Sequence, residues 1–162
     1  FEENFGSGQI VELKTKVQFK LNREAKNLGV YVGFTFEQGQ AIFLKIEVSC
    51  HFNINEDSWK NFVETKTSKI IIPQDFLIHL TMITVGTARG ILFAKTEGTN
   101  FNKFIIPTIN VKKMLTKDAQ FPLNKSKVIF QTLLLAASTI GTAFADPRTA
   151  PLTPGPKIPN AL

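Results

Sequence analysis

The residues of this chain best suited to covalent or acid–base chemistry are Cys50, His51 and His79. A thiol and an imidazole within reach of one another would make a nucleophile and its base. Cys50 and His51, however, are neighbours in an extended, alternating stretch, where successive side chains point to opposite faces. They cannot form a pair. Cys50 shares its face with Val48 and Phe52, which predicts a buried, inert thiol. His79 stands beside Leu80 in a helical pattern and reads as a hydrogen-bonded structural imidazole. Two histidines with no His-x-x-x-His spacing do not complete a zinc site, and one cysteine excludes an internal disulfide or a multi-thiolate metal centre within the chain. Gly86-Thr87-Ala88-Arg89-Gly90 lacks the lysine of a phosphate loop and falls inside a helix rather than after a strand. No catalytic residue, metal ligand or cofactor is therefore expected, and the chain reads as a binding protein rather than an enzyme. Arg89, the one charge between Asp75 and Lys95, reads as a packing contact or salt bridge at an interface.

The elements that carry these residues are legible from their periods. Val11, Leu13, Thr15, Val17, Phe19 and Leu21 alternate with polar neighbours, as a strand with one dry and one wet face requires. A polar connection from Asn22 to Gly29 leads to a second strand through Val30, Val32, Phe34 and Phe36. A turn at Gln38-Gly39-Gln40 leads to a third, with Ile42, Leu44, Ile46, Val48, Cys50, Phe52 and Ile54 on one face. Short turns make this an antiparallel meander. One or two helical turns are expected near Trp59, and an extended piece from Lys69 to Ile72 stops at Pro73. Phe76, Leu77, Leu80, Ile83, Ile91 and Leu92 then recur at threes and fours, predicting a long helix from Gln74 to about Thr96, closed by Gly98. Gly86 and Gly90 each cost that helix about 1 kcal/mol relative to alanine, so close approach of a partner helix is expected at an interface of Gly86, Arg89 and Gly90. A last short helix is expected within Asn110–Leu115. The fold class is α+β, an antiparallel sheet packed on one long helix.

Composition narrows the function. Fifteen phenylalanines stand against one tryptophan and one tyrosine, which suits a core or an undiscriminating apolar groove. Residues 1–124 carry 15 Lys and Arg against 12 Asp and Glu, scattered rather than clustered, which argues against nucleic acid as a partner. Phe34, Phe36, Phe43, Trp59 and Phe62 are the bulky aromatics near the sheet and the loop after it. They are the candidate groove for apolar polypeptide, with ordinary core packing as the alternative for each.

The sequence changes character at Lys125. Lys125-Ser126-Lys127, the apolar run Val128–Phe144 and Ala143-Phe144-Ala145 follow the order of a secretory signal peptide, and residues 146–162 are rich in proline and expected to be extended. Three origins fit residues 125–162: a fused downstream reading frame, a tethered client, or a native C-terminal helix. Val128 to about Gly141 is expected to be helical or to lie in an apolar groove. A structural or interaction protein anchored or exported through this segment is the competing functional class.

The run Ile72-Pro73 through Leu92, followed by Gly98-Thr99-Asn100-Phe101 and Ile105-Ile106-Pro107-Thr108-Ile109-Asn110, resembles the helix and following segment of the SecB family of export chaperones, over about Gln9 to Leu115. The resemblance implies a four-stranded antiparallel sheet on a long helix, and subunits pairing into dimers and then a dimer of dimers. It further implies grooves that hold unfolded preproteins in the cytoplasm without nucleotide or cofactor. Unfolded preproteins or antitoxins are the implied clients and SecA the implied export partner, docked by the family on an acidic sheet surface; the matching strand here offers Glu47 beside Lys45. The family's first strand would precede Gln9, so residues 1–124 are expected to form a SecB-like domain short of one edge strand.

Overall fold

The computed structural model describes residues 10–123 and, for their backbone alone, 129–131 and 140–142. The chain is α+β, with antiparallel sheets and one long helix. Strands β1 (Val11–Asn22), β2 (Asn27–Gln38) and β3 (Ala41–Asn53) form the expected meander in the order β3-β2-β1. Both hairpins are tighter than the sequence implies. The first turn occupies only residues 23–26, where the Ala25 amide donates to Asn22 Oδ1 (3.1 Å) and Lys26 takes φ +48°. The second turns on Gly39 at φ +62°, a left-handed backbone that glycine adopts without steric cost.

Alternation along β1 and β2 buries one face of each: Leu13, Val17, Phe19 and Leu21 from β1, and Leu28, Val30, Val32, Phe34 and Phe36 from β2. A register shift between Phe36 and Glu37 interrupts the β2–β3 ladder, with Phe36 opposite Leu44 and Glu37 opposite Ile42. The surplus residue is Phe43, which packs on Phe36 and Phe104. A bulge of this kind re-aims the residues beside it. Ile42 is thereby turned to solvent, 55% exposed, against the expectation that it continues the inner row of β3.

Helix α1 (Glu56–Phe62) starts at Asn55, whose side chain accepts from the Ser58 amide. A second sheet then appears that the sequence did not disclose: β4 (Val63–Glu64), β5 (Lys69–Ile72) and β6 (Ala119–Pro122), in that order and antiparallel. Helix α2 (Gln74–Thr96) spans 23 residues as expected, and Gly98 at φ +74° ends it. Its first amide, Gln74, donates to Asp118 Oδ1 (2.8 Å), a residue 44 positions away that brings negative charge to the helix N-terminus. At the other end Asn102 Nδ2 donates to the Phe93 carbonyl (3.2 Å). A short α3 (Val111–Met114) follows.

Leu77, Leu80, Thr81, Thr84, Val85, Ala88, Leu92 and Thr96 make the inner face of α2, which packs on β2 and β3. Together with Ile70, Ile72, Phe104, Ile106, Leu115 and Phe121 it belongs to a single hydrophobic cluster. Length and composition alone would let α2 cross a bilayer, yet this half of it is the core of the domain. Thr84 and Thr96 satisfy their hydroxyls by donating to the carbonyls of Leu80 (2.9 Å) and Leu92 (2.8 Å), as buried helical threonines commonly do. Thr81, fully buried, has no partner for its Oγ1. Thr81→Val, nearly isosteric, is expected to raise stability by about 1–2 kcal/mol by removing that unsatisfied hydroxyl. Thermal unfolding checks this, and a lowered midpoint would show a hydroxyl partner.

The tail departs most from expectation. Within the stretch from Val128 to about Gly141, expected to be helical or groove-bound, the described residues are instead strand β7 (Ile129–Gln131) and the start of β8 (Ile140–Thr142), both antiparallel to β1 on the edge away from β2. The edge expected to be short of a strand is thus paired by later residues. The physical reason is non-local: an open edge offers unpaired backbone groups to any extended segment in reach, and that attraction leaves no mark on the local period of the tail. The other residues of the expected helix, the proline-rich end 146–162 and the N-terminal residues before Ile10 lie outside the described residues.

Candidate functional site

The sequence-predicted residues fall into three environments. Phe34 and Phe36 are wholly buried between the sheet and α2, so they belong to the core and cannot line a client groove. An inward position on a central strand fixes this; the residue type did not. Phe43, Trp59 and Phe62 are half-buried on the rim of the core. Phe43 lies 4.8 Å, ring to ring, from Phe104 and stacks on Phe101 at 6.4 Å and 18°. Phe62 tilts against Phe76 at 5.5 Å. Trp59 is carried by α1, which Lys26 fastens to the first hairpin through Glu56. That hydrogen bond and the lysine's charge hold the Glu56 carboxyl below its ordinary pKa. The contact therefore favours the fold above the unfolded carboxylate pKa, and the contribution fades as pH falls through the lowered value.

Arg89 turns inward. Its Nε donates to the Ile106 carbonyl (3.0 Å) and its guanidinium also to the Pro107 carbonyl (2.5 Å), pinning the irregular segment after α2 so that Phe104 and Ile106 seal the core. Arg89 thus acts within the subunit, whereas Gly86 and Gly90 face away from it. Arg89→Ala is expected to cost about 2–3 kcal/mol, since hydrogen bonds to a charged donor are the stronger kind, and Arg89→Lys to recover only part of it because an ammonium cannot span both carbonyls. Urea midpoints of the two variants check the order.

The outward face of α2 carries the most exposed apolar surface of the described residues. Met82 and Phe93 are each 59% exposed, with Ile83 and Ile91 beside them. A Cβ built on Gly86 or Gly90 meets nothing within 4 Å. Two glycines that each cost helix stability, with open space above them, have no explanation among the described residues. One flank of the stripe runs to β3, where Cys50 Sγ lies 3.9 Å from Thr87 Oγ1. Because β3 is the edge of its sheet, its inner row of Leu44, Ile46, Val48, Cys50 and Phe52 is only half-buried. A continuous apolar surface therefore extends from the edge of β3 across Thr87 to Met82 and Phe93. The sequence signal for it was present: apolar residues all round α2, rather than on one face only.

Chemistry-bearing groups are dispersed. Cys50 is half-buried and faces α2; His51, on the opposite face of β3, approaches Asn27 Oδ1 (3.3 Å) and the edge of Tyr31. His79 lies exposed on α2. Among the described residues no three His, Cys, Asp or Glu side chains converge on a metal-sized space. The polar face of the main sheet holds a shallow depression of about 450 Å³ above Gly33, bordered by Lys16, Lys20, Tyr31, Glu47 and Ser49. The Lys45–Glu47 pair (3.3 Å) on that face leaves it mixed in charge rather than acidic. No protein-family model, curated protein or solved structure matches this chain.

Proposed function

We propose that this chain is a SecB-like chaperone subunit that holds unfolded polypeptide on an apolar surface without nucleotide, and that it assembles through α2. The observation that carries the reading is the outward face of α2. From His79 to Ala94 its only charge is Arg89, which is spent on carbonyls of its own subunit, and the remainder offers Met82, Ile83, Gly86, Gly90, Ile91 and Phe93 to solvent. Surfaces of this kind on soluble proteins mark interaction sites. Unfolded clients share little beyond exposed apolar side chains, so a sequence-tolerant surface is the one they require.

The glycines suit a second copy of α2 crossing antiparallel at Gly86. A two-fold axis there sets each Met82 over the Gly90 notch of its mate and His79 against Phe93, a self-complementary contact. A dimer of dimers is the assembly the SecB resemblance leads to. The half-buried row of β3, with Phe43, Trp59 and Phe62 as rim, is then left to clients: unfolded preproteins or antitoxins in the cytoplasm. The sheet face on which SecA would dock carries lysines beside its acids, as in the Lys45–Glu47 pair. Anchoring through residues 125–145 is disfavoured by the two stretches of that segment paired in the sheet.

Titration with a permanently unfolded polypeptide, a reduced and carboxymethylated protein, tests the binding surface. The unaltered chain is expected to bind it without nucleotide, and Val48→Glu, which places a charge in the half-buried row of β3, to bind on the order of tenfold more weakly, as a desolvated charge costs 1.4 kcal/mol or more. Equal binding by a folded Val48→Glu protein would remove β3 from the client surface.

A further inference from the structure

Strand β1 has two edges, and they are satisfied very differently. One is taken by β2 in an unbroken ladder, Val11–Asn22 against Asn27–Gln38. Among the described residues the other is met only at its ends, by Ile129–Gln131 against Phe19–Leu21 and by Ile140–Thr142 against Val11–Leu13. Both stretches run antiparallel to β1 but in different registers: in sequence eight residues, 132–139, separate them where β1 has five, 14–18. A strand in one register supplies one residue for each of β1. Three surplus residues mean that the two short ladders do not share one register, so β7 and β8 fit the edge less well than one unbroken strand would.

The edge itself is well formed. Its inward residues Leu13, Val17, Phe19 and Leu21 are buried, so an added strand extends a face that is already dry. Its solvent face carries Glu12, Lys14, Lys16 and Lys20. Lys14 is held by Glu37 (2.5 Å) and Lys20 lies over the Tyr31 ring (4.1 Å), which keeps this face ordered, with lysines in excess of acids. Like charges directly across a strand pair repel and opposite charges attract. A lysine-bearing strand is therefore rejected, and one with neutral or acidic outward residues is accepted.

We infer that the outer edge of β1 is a strand-acceptor site: it takes an extended segment of another polypeptide by β-augmentation, one alternating apolar with neutral or acidic residues, while the chain's own β7 and β8 hold the site in cis until displaced. The main-chain ladder supplies affinity and the alternate side chains selectivity. The site is distinct from the client surface on β3 and stands independently of it.

The test uses the full chain and a labelled peptide of residues 128–142 with two terminal glutamates. In the variant Phe130→Pro/Gly141→Pro each proline removes a backbone N–H from the cis ladder. This variant is expected to bind the peptide at least about tenfold more tightly than the unaltered chain, because a tethered segment competes at millimolar effective concentration. Hydrogen exchange at residues 11–13 and 19–21, on amides facing away from β2, is expected to quicken in the variant and to slow again with peptide. A second peptide, shortened by three residues between the paired stretches so that its register is continuous, is expected to bind the unaltered chain more tightly than the first, a comparison that needs no proline variant. Equal binding of both peptides to both proteins, or binding that leaves exchange along β1 unchanged, overturns the inference. Retention of peptide binding in Val48→Glu separates this site from the proposed client surface.

Discussion

Phe36→Ala is expected to destabilise the chain by about 3–5 kcal/mol, the usual cost of deleting a fully buried phenylalanine and leaving a cavity. The ring is wholly enclosed, and its neighbours across the bulge are Phe43 and Phe104, at 6.3 and 6.1 Å. Rigid rings collapse poorly into a vacated space, which places the cost toward the upper end. Urea unfolding is expected to show a lower midpoint with an unchanged slope. Phe43→Ala is the informative contrast, because Phe43 is only half-buried and its loss should cost less stability while weakening capture of unfolded polypeptide. An unchanged midpoint for Phe36→Ala would place that ring outside the core.

Gly86→Leu separates what the subunit needs from what the assembly needs. Among the described residues a Cβ at Gly86 meets nothing within 4 Å, and leucine is a better helix former than glycine by nearly 1 kcal/mol. The isolated subunit is therefore expected to become slightly more stable. In a pair crossing at Gly86 the same side chain is forced into a packed contact, at about 1–3 kcal/mol for each insertion and twice over across a two-fold axis. Association is expected to weaken by at least tenfold and up to a thousandfold or more. Sedimentation across a concentration series reads association and thermal unfolding reads the subunit. Opposite signs in the two measurements support helix pairing; unchanged association would show that the glycines serve no helix contact.

Much of the architecture is written in local period. β1 is legible because its wet face is as regular as its dry one, Lys14, Lys16, Gln18 and Lys20 standing between inward apolar residues. Helix α2 is legible from spacing, from Pro73 before it and from Gly98 after it. The failures share a cause in partners distant along the chain. The bulge at Phe43 exists only in the pairing of β3 with β2, so Ile42 continues the alternation in sequence and leaves it in space. Strand β6 is four residues with no pattern of its own, made by pairing with β5, and Asp118 caps α2 only because β6 brings it there. Depth is equally invisible: Phe34 and Phe43 are the same residue type on neighbouring strands, one sealed and one on the rim. The tail reads as an apolar helix because no local rule reports an open strand edge elsewhere.

The candidate surface was half legible. Gly86 and Gly90 are conspicuous in a helix pattern, and the structure leaves both outward-facing with nothing above them. Arg89, one residue from Gly90, is set about 100° round the helix on the flank of that stripe, where it reaches the carbonyls of Ile106 and Pro107. The half-buried row of β3 could not be read, because alternation gives the face of a strand and not its place in the sheet.

Chaperone action is tested most directly by light scattering from a chemically denatured protein diluted into buffer with this chain present and no nucleotide. Aggregation is expected to be suppressed in proportion to added chain, and Val48→Glu to lose most of the suppression while keeping its fold by circular dichroism. Aggregation that proceeds unchanged in the presence of folded, unaltered chain would contradict chaperone action.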